Sequence, residues 1–310
     1  MTTYRKTDRR PTGETLAAAV GVDVGGTHVR AALVDREGHV LHHLRTGTPP
    51  EGGDALLAEV AGLVHALRHS RRGSTIEGIG VGTGGVVEPG TGRVLSATAL
   101  IREWAGKNLA AEIEERCGHP CRVDNDGNAQ ALGELRYGAG QRFGHFVLIT
   151  IGTGVGGGIV VDGRVYRGAR GGAGEVGHVA VPGGGPCSCG RRDCLEGAVG
   201  GRAVERLWEE RTGAPAADLF TRGPRDPDVD VFMRERAEIL AVGIASVVNI
   251  LNPQAVIVAG GPLYRSHLEW IQARVRELVL PACAAVEVMP SAVGEHLGVV
   301  GAAALVWEDG

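Results

Sequence analysis

Between residues 178 and 194 the chain spaces one histidine and three thiols as His178-x8-Cys187-x-Cys189-x4-Cys194. Four soft nitrogen and sulfur donors in such a run match a tetrahedral zinc site. With all four positions filled, no ligand position remains for water, so the ion is expected to be structural rather than catalytic. The glycines Gly183, Gly184 and Gly185 give the connecting loop freedom to fold back on itself. The competing reading is an accidental cluster of free thiols. Six cysteines without a secretory leader ahead of the apolar run 16–22 suggest a reducing, cytoplasmic setting, where clustered thiols bind metal more often than they cross-link. Cys117, Cys121 and Cys283 lack partners at metal spacing and read as packing residues.

A second chemistry is written in glycine turns. Asp23 ends an apolar strand and is followed by Gly25-Gly26-Thr27. Such a turn exposes backbone N–H groups that wrap an anion with no side chain in the way. A carboxylate there is costly to bury unless it faces a cation, so Asp23 is read as orienting hydrated Mg²⁺. The stretch 146–168 repeats the plan, with a strand, Gly152-Thr153-Gly154, a second strand and a turn at Asp162-Gly163. Thr150 to Asp162 spans the same twelve positions as Asp23 to Asp35, which indicates an internal duplication. The strand "AVIVAGGP" (255–262) ends in another glycine pair, Gly260-Gly261. Any one of these is equally a tight hairpin, but together they point to the phosphates of ATP. None has the P-loop or dinucleotide spacing.

These residues need elements to position them. Helical periodicity predicts helices over 55–69, 108–117, 128–137, 202–211, 232–250 and 301–307. Alternation with apolar strands gives an α/β architecture. The expected organisation is a tail at 1–17, a first lobe of 18–135 plus 296–310, and a second lobe of 136–295 with the zinc site, the two lobes sharing a cleft. The polar stretch around Pro215, Pro224 and Pro227 reads as a surface loop. The net charge of −4 argues against a nucleic-acid surface, and the longest apolar run, 239–250, is too short to span a membrane.

In "VDNDGNAQALGE" (123–134) an apolar strand gives way to Asn125 and Asp126 before a helix. Asn, Asp and Gly are good turn and N-cap residues, so on spacing alone a capping role and a catalytic one are equally supported. Asp124 reads as structural. Glu175 and His178 are three apart, and Glu196 lies two beyond the last thiol, so a metal would tie them into one piece. Paired carboxylates there match the vicinal hydroxyls of a sugar.

The motifs "DVGGT", "VDNDGNAQALGE", "GTGVGGG", "GEVGH", "CSCGRRDCLE" and "AGGP" together resemble the ROK family of bacterial sugar kinases, over nearly the whole chain from about residue 18. The resemblance implies a two-lobed, actin-like (ribonuclease H-like) ATPase fold of hexokinase type, and an ATP-dependent transfer to the 6-hydroxyl of a hexose. It places Asp126 as the catalytic aspartate and puts Asn125, Glu175, His178 and Glu196 on the sugar, with Gly85 and Thr98 on the opposite wall. It implies the same zinc on His178, Cys187, Cys189 and Cys194, and a homodimer or homotetramer. Departures are Asp193 for a usual glycine, His28 for a frequent lysine, and Ala99-Leu100 where glucokinase members carry Asn before Leu. "TALIREW" is closer to the N-acetylmannosamine kinase branch, which tends to carry Arg where this chain has Val86. Glucose and an amino or N-acyl hexosamine such as N-acetylmannosamine or kanosamine are therefore both expected substrates. The alternative is a non-catalytic sugar sensor or transcriptional regulator. Only 22 residues precede Asp23, fewer than a DNA-binding module ahead of the sugar domain would need.

Overall fold

The computed structural model describes residues 16–70, 74–97 and 101–308. The chain divides into two compact units, one made of 1–141, 167–173 and 295–310, the other of 142–166 and 174–294. The first is built on a five-stranded sheet of β1 (Leu16–Val24), β2 (His28–Asp35), β3 (Val40–Gly47), β4 (Ser74–Thr83) and β5 (Cys121–Asn125), in the order β3-β2-β1-β4-β5. The hairpin strands β1 to β3 pair antiparallel, and β4 and β5 add in parallel. The second unit repeats that plan with β6 (Phe146–Ile151), β7 (Val155–Val161), β8 (Arg164–Val165), β9 (Ala255–Gly260) and β10 (Glu287–Pro290), in the order β8-β7-β6-β9-β10 with the same alternation of senses. The internal duplication read from residue spacing is thus also a duplication of topology.

In the first unit, helices α1 (Gly53–Ser70) and α2 (Leu109–Cys117) cover one face of the sheet. Leu56, Val60, Val64 and Leu67 of α1, spaced at helical intervals, bury against Val20, Val22 and Leu33 of the sheet. On the other face lie α3 (Asp126–Tyr137) and the C-terminal helix α8 (Leu297–Ala304), which come very close to the sheet and to each other. Gly21 and Gly80 are paired across β1 and β4, and a Cβ on either would fall within 2 Å of a carbonyl of α8. The two glycines open a slot for that helix.

In the second unit, α4 (Gly201–Thr212), α5 (Ala217–Arg222), α6 (Pro227–Leu251) and α7 (Leu268–Leu278) accompany the sheet. The stretch expected to be a loop around Pro215, Pro224 and Pro227 instead carries α5 and the first turn of α6. The reason is local: Asp226 accepts from the N–H groups of Asp228 and Val229, and Pro227 sits in the first turn, where its missing N–H costs nothing. Among the described residues no helix is long and apolar enough to cross a membrane.

Candidate active site and metal centre

In the first unit the acidic groups gather where parallel strands end. Asp23 on β1 and Asp124 on β5 both pair in register with Gly82 of β4, so only a hydrogen atom stands between them on that row. Asp126 follows at the first turn of α3, its backbone packed over Gly82. Burial, then the nearby negative charge of Asp126, push the Asp23 carboxyl up to about 6, while Arg30, 3.7 Å away, pulls it back. Burial also raises Asp126, opposed by the Gly127 N–H that donates to its Oδ1 and assisted by the charge of Asp124. In both, burial outweighs the groups that favour the charged form, which suits a site meant for a divalent cation and a reacting proton.

Asn125 is a working N-cap. Its Oδ1 accepts from the N–H groups of Gly127 and Asn128, and its Nδ2 donates to the carbonyl of Gly85 at 2.9 Å. Two residues assigned to the sugar, Asn125 and Gly85, are thereby brought together. Gly85 has φ of +106° and lies against the Ser96 carbonyl, a conformation and a space that only glycine accepts. Thr98, with Ala99 and Leu100, lies outside the described residues.

Asp124, read as structural, is held by a group the sequence did not flag. Arg167 donates to its Oδ2 at 2.7 Å and to Glu308 at 2.5 Å, while the other oxygen of Asp124 accepts from the Asn125 N–H and the Asn128 amide. That buried, fully engaged carboxylate fixes the turn that presents Asp126.

The first glycine turn is drawn tight by Thr48, whose hydroxyl and N–H donate to the carbonyls of Gly25 and Thr27. The second is tied back differently. The N–H groups of Gly201 and Arg202 at the start of α4 donate to the carbonyls of Gly152 and Thr153. With Gly154 completing it, this turn lies beside Gly260-Gly261, since the Gly261 N–H donates to the carbonyl of Ile151 just ahead of Gly152. The residues of the second unit expected to hold the nucleotide are therefore neighbours, as are Asp23, Gly25, Gly26 and Thr27 in the first. His28 accepts from Arg45 at 2.9 Å, and burial with the charges of Arg45 and Arg30 keeps its imidazole below the usual range.

The four proposed metal ligands converge. One donor atom from each of His178, Cys187, Cys189 and Cys194 lies within 4.8 Å of all the others. Nδ1 of His178 is 3.4 Å from the Cys187 sulfur, and the Cys189 and Cys194 sulfurs are 3.6 Å apart. A tetrahedron with Zn–S bonds of about 2.3 Å has edges of about 3.8 Å, so the donor set fits zinc in chemistry and in span. His178 turns its other nitrogen, Nε2, toward Glu175 at 3.8 Å. The glycine run serves close approach as well as freedom: Gly184 packs on the Asp193 backbone, and Gly185 packs on Gly197. Asp193 pairs with Arg191 and has no positive φ, so an aspartate is accommodated there without strain.

Glu196 sits immediately behind this centre. Its Oε1 accepts from the Ser188 hydroxyl at 2.5 Å, and its Oε2 accepts from the Val155 N–H at 3.0 Å. Burial raises its pKa, but the donors from Ser188, Val155 and Cys187 outweigh that and hold the carboxyl below its usual range.

Duplicated units of this topology, each with a glycine turn after its first strand, define a protein of the actin-like, hexokinase-type fold. Residues 19–309 match the ROK family model, and the chain belongs to that family. It is 32% identical to a glucokinase of Streptomyces coelicolor, over 94% of this chain and 98% of that protein. The solved ROK family glucokinase of Streptomyces griseus, in complex with glucose and AMPPNP, matches with a TM-score of 0.78 at 31% identity, covering 93% of this chain and 98% of that one. A xylose repressor of Bacillus spizizenii is 27% identical over 94% of this chain and 77% of its own length.

The state of Asp23 gives a direct test. Its folded pKa of about 6 lies above the ordinary 3.8, so the folded protein holds this proton more tightly than the unfolded chain. Stability therefore falls as pH rises from the lower value through the upper, by up to about 3 kcal/mol at neutral pH from this group. Asp23→Asn is expected to raise the melting temperature of the ligand-free protein at pH 7.5. That advantage should shrink as pH falls through 6 and on toward 4. An unchanged difference across that range would show that Asp23 does not titrate this way.

Proposed function

We propose that this chain is an ATP-dependent hexose kinase acting on the 6-hydroxyl. The observation that carries the reading is Asp126, which starts a helix at a strand end, is buried, and has its proton affinity raised by that burial. A carboxylate whose proton affinity burial raises is a stronger base than an ordinary aspartate. The glucokinase relatives support the same activity.

In this mechanism Asp126 takes the proton of the 6-hydroxyl as that oxygen attacks the γ-phosphorus of ATP, whose bond to the β–γ bridging oxygen breaks so that ADP leaves. The glycine turns 25–27 and 152–154 surround the phosphate oxygens with N–H groups, and Gly260-Gly261 receives the nucleotide. Mg²⁺, when bound through Asp23, neutralises charge on the phosphates. Asn125, Glu175, His178 and Glu196 orient the ring by its hydroxyls, and the zinc centre keeps the last three in fixed relation. Glucose is one candidate substrate. An amino or N-acyl hexosamine is the other, because Ala99 removes a side-chain amide that glucokinase members place against a sugar hydroxyl. A sugar-sensing regulator is the second reading, prompted by the xylose repressor match.

One assay decides between them: ADP release followed over a panel of glucose, mannose, N-acetylmannosamine, N-acetylglucosamine and kanosamine. The kinase reading expects sugar-dependent ADP release and a 6-phosphate product. Sugar binding by calorimetry with no ADP release from any of them would establish a sensor instead.

A further inference from the structure

Both carboxylate oxygens of Glu196 accept within the unit, and Oε2, with one donor, keeps a lone pair for a sugar hydroxyl. Oε1 is held by Ser188, through its hydroxyl at 2.5 Å and its N–H at 3.3 Å, and also faces the Cys187 thiol at 3.2 Å. Oε2 is held by the Val155 N–H at 3.0 Å. The two donors belong to different pieces of the unit. Ser188 lies between two of the proposed zinc ligands, Cys187 and Cys189, so its place is set by the metal loop. Val155 is the first residue after the glycine turn 152–154, where β7 begins.

The fit around this carboxylate is close. A Cβ on Gly154 would come within 2.3 Å of Oε2, so the turn is pressed against it and has no side chain to spare. The thiol proton of Cys187 is given up when that cysteine ligates a metal, whereas the Ser188 hydroxyl and amide are retained. Ser188 is thus the lasting donor. Beyond Glu196, α4 grips the carbonyl side of the same turn through Gly201 and Arg202. The carboxylate and the helix hold the turn from two sides.

We infer that Ser188 is a positioning residue: through Glu196 it transmits the geometry of the zinc loop to the glycine turn 152–154, so that the metal loop governs nucleotide affinity as well as sugar affinity. The inference rests on the proposed phosphate-holding role of that turn. It goes beyond it in assigning Ser188, which is exposed and would otherwise read as an incidental loop residue between two thiols. Charge-assisted hydrogen bonds of this length are among the stronger ones in proteins, so removing the hydroxyl should be felt.

The experiment uses the zinc-loaded full chain and its Ser188→Ala and Ser188→Thr variants. Hydrogen exchange at the Val155 amide reads the link without reference to any activity. It should be at least about tenfold faster in Ser188→Ala and near wild type in Ser188→Thr, which restores the hydroxyl. Zinc content measured by atomic absorption should be the same in all three. The dissociation constant for AMPPNP without sugar should rise at least about threefold in Ser188→Ala and recover in Ser188→Thr. Unchanged Val155 protection in Ser188→Ala at full zinc content would overturn the link, whatever the enzyme does. A protection loss with unchanged nucleotide affinity would overturn the transmission to nucleotide. Wild-type protein that bound no nucleotide at all would sink the kinase reading itself, a result separate from either.

Discussion

Asp126→Asn is expected to lower turnover by at least about a hundredfold while leaving sugar affinity within a few-fold of wild type, the low end of what a positioned base contributes. Asparagine keeps an oxygen for the Gly127 N–H that Asp126 now receives, so the start of α3 should survive the change. What is lost is the ability to take a proton. The wild-type rate should decline as pH falls, because a carboxylate with a raised pKa becomes protonated at higher pH than an ordinary aspartate and a protonated one cannot act as base. A second effect is independent of turnover. The charge of Asp126 helps hold Asp23 near 6, so neutralising Asp126 should move the Asp23 titration, followed by NMR, downward. A variant with near wild-type turnover would remove Asp126 from the chemistry, even if the Asp23 titration moved as expected.

The second large effect concerns the metal. Stripping zinc with a chelator, or replacing the fully buried Cys194 by serine, is expected to cut sugar phosphorylation by at least about tenfold and to loosen residues 178–196. A metal on the four donors would reinforce the few backbone bonds that order this segment, among them Val181 N–H to Asp193 and Leu195 N–H to Val179. The segment is rich in glycine, its exposed residues include Cys189, Gly190, Arg191 and Arg192, and few of its side chains reach the core. Readdition of zinc, and not of magnesium, should restore the activity and the protease resistance of the loop. Full activity in protein shown by atomic absorption to be metal-free would refute the structural role.

What could be read in advance follows from how local each signal is. The thiol spacing and the glycine turns are short-range patterns, so the gathering of the four donors and both turns were visible in the residues themselves. The equal separations from Asp23 to Asp35 and from Thr150 to Asp162 announced the repeated strand order. The start of α6 escaped because a proline count outweighed the Asp226-Pro227 pair, which is a helix start rather than a loop. Helix α7 was passed over altogether. Arg167, Thr48 and Ser188 could not be found at all, since each acts on a partner that only the folded chain brings near. Asn125 lies between these cases: capping and binding were equally supported, and the structure has it capping α3 while reaching Gly85.

The slot opened by Gly21 and Gly80 has a consequence for biosynthesis. Helix α8 fills it, and Gly298 of that helix rests directly on the Asp23 carboxylate. The first unit's sheet is thus translated early but receives the helix that fills this slot only after the other unit's residues have all emerged. A nascent polypeptide halted before residue 297 would carry every strand of that sheet with one face covered by α3 alone and the glycine slot open, an invitation to chaperones and proteases until the missing helix arrives.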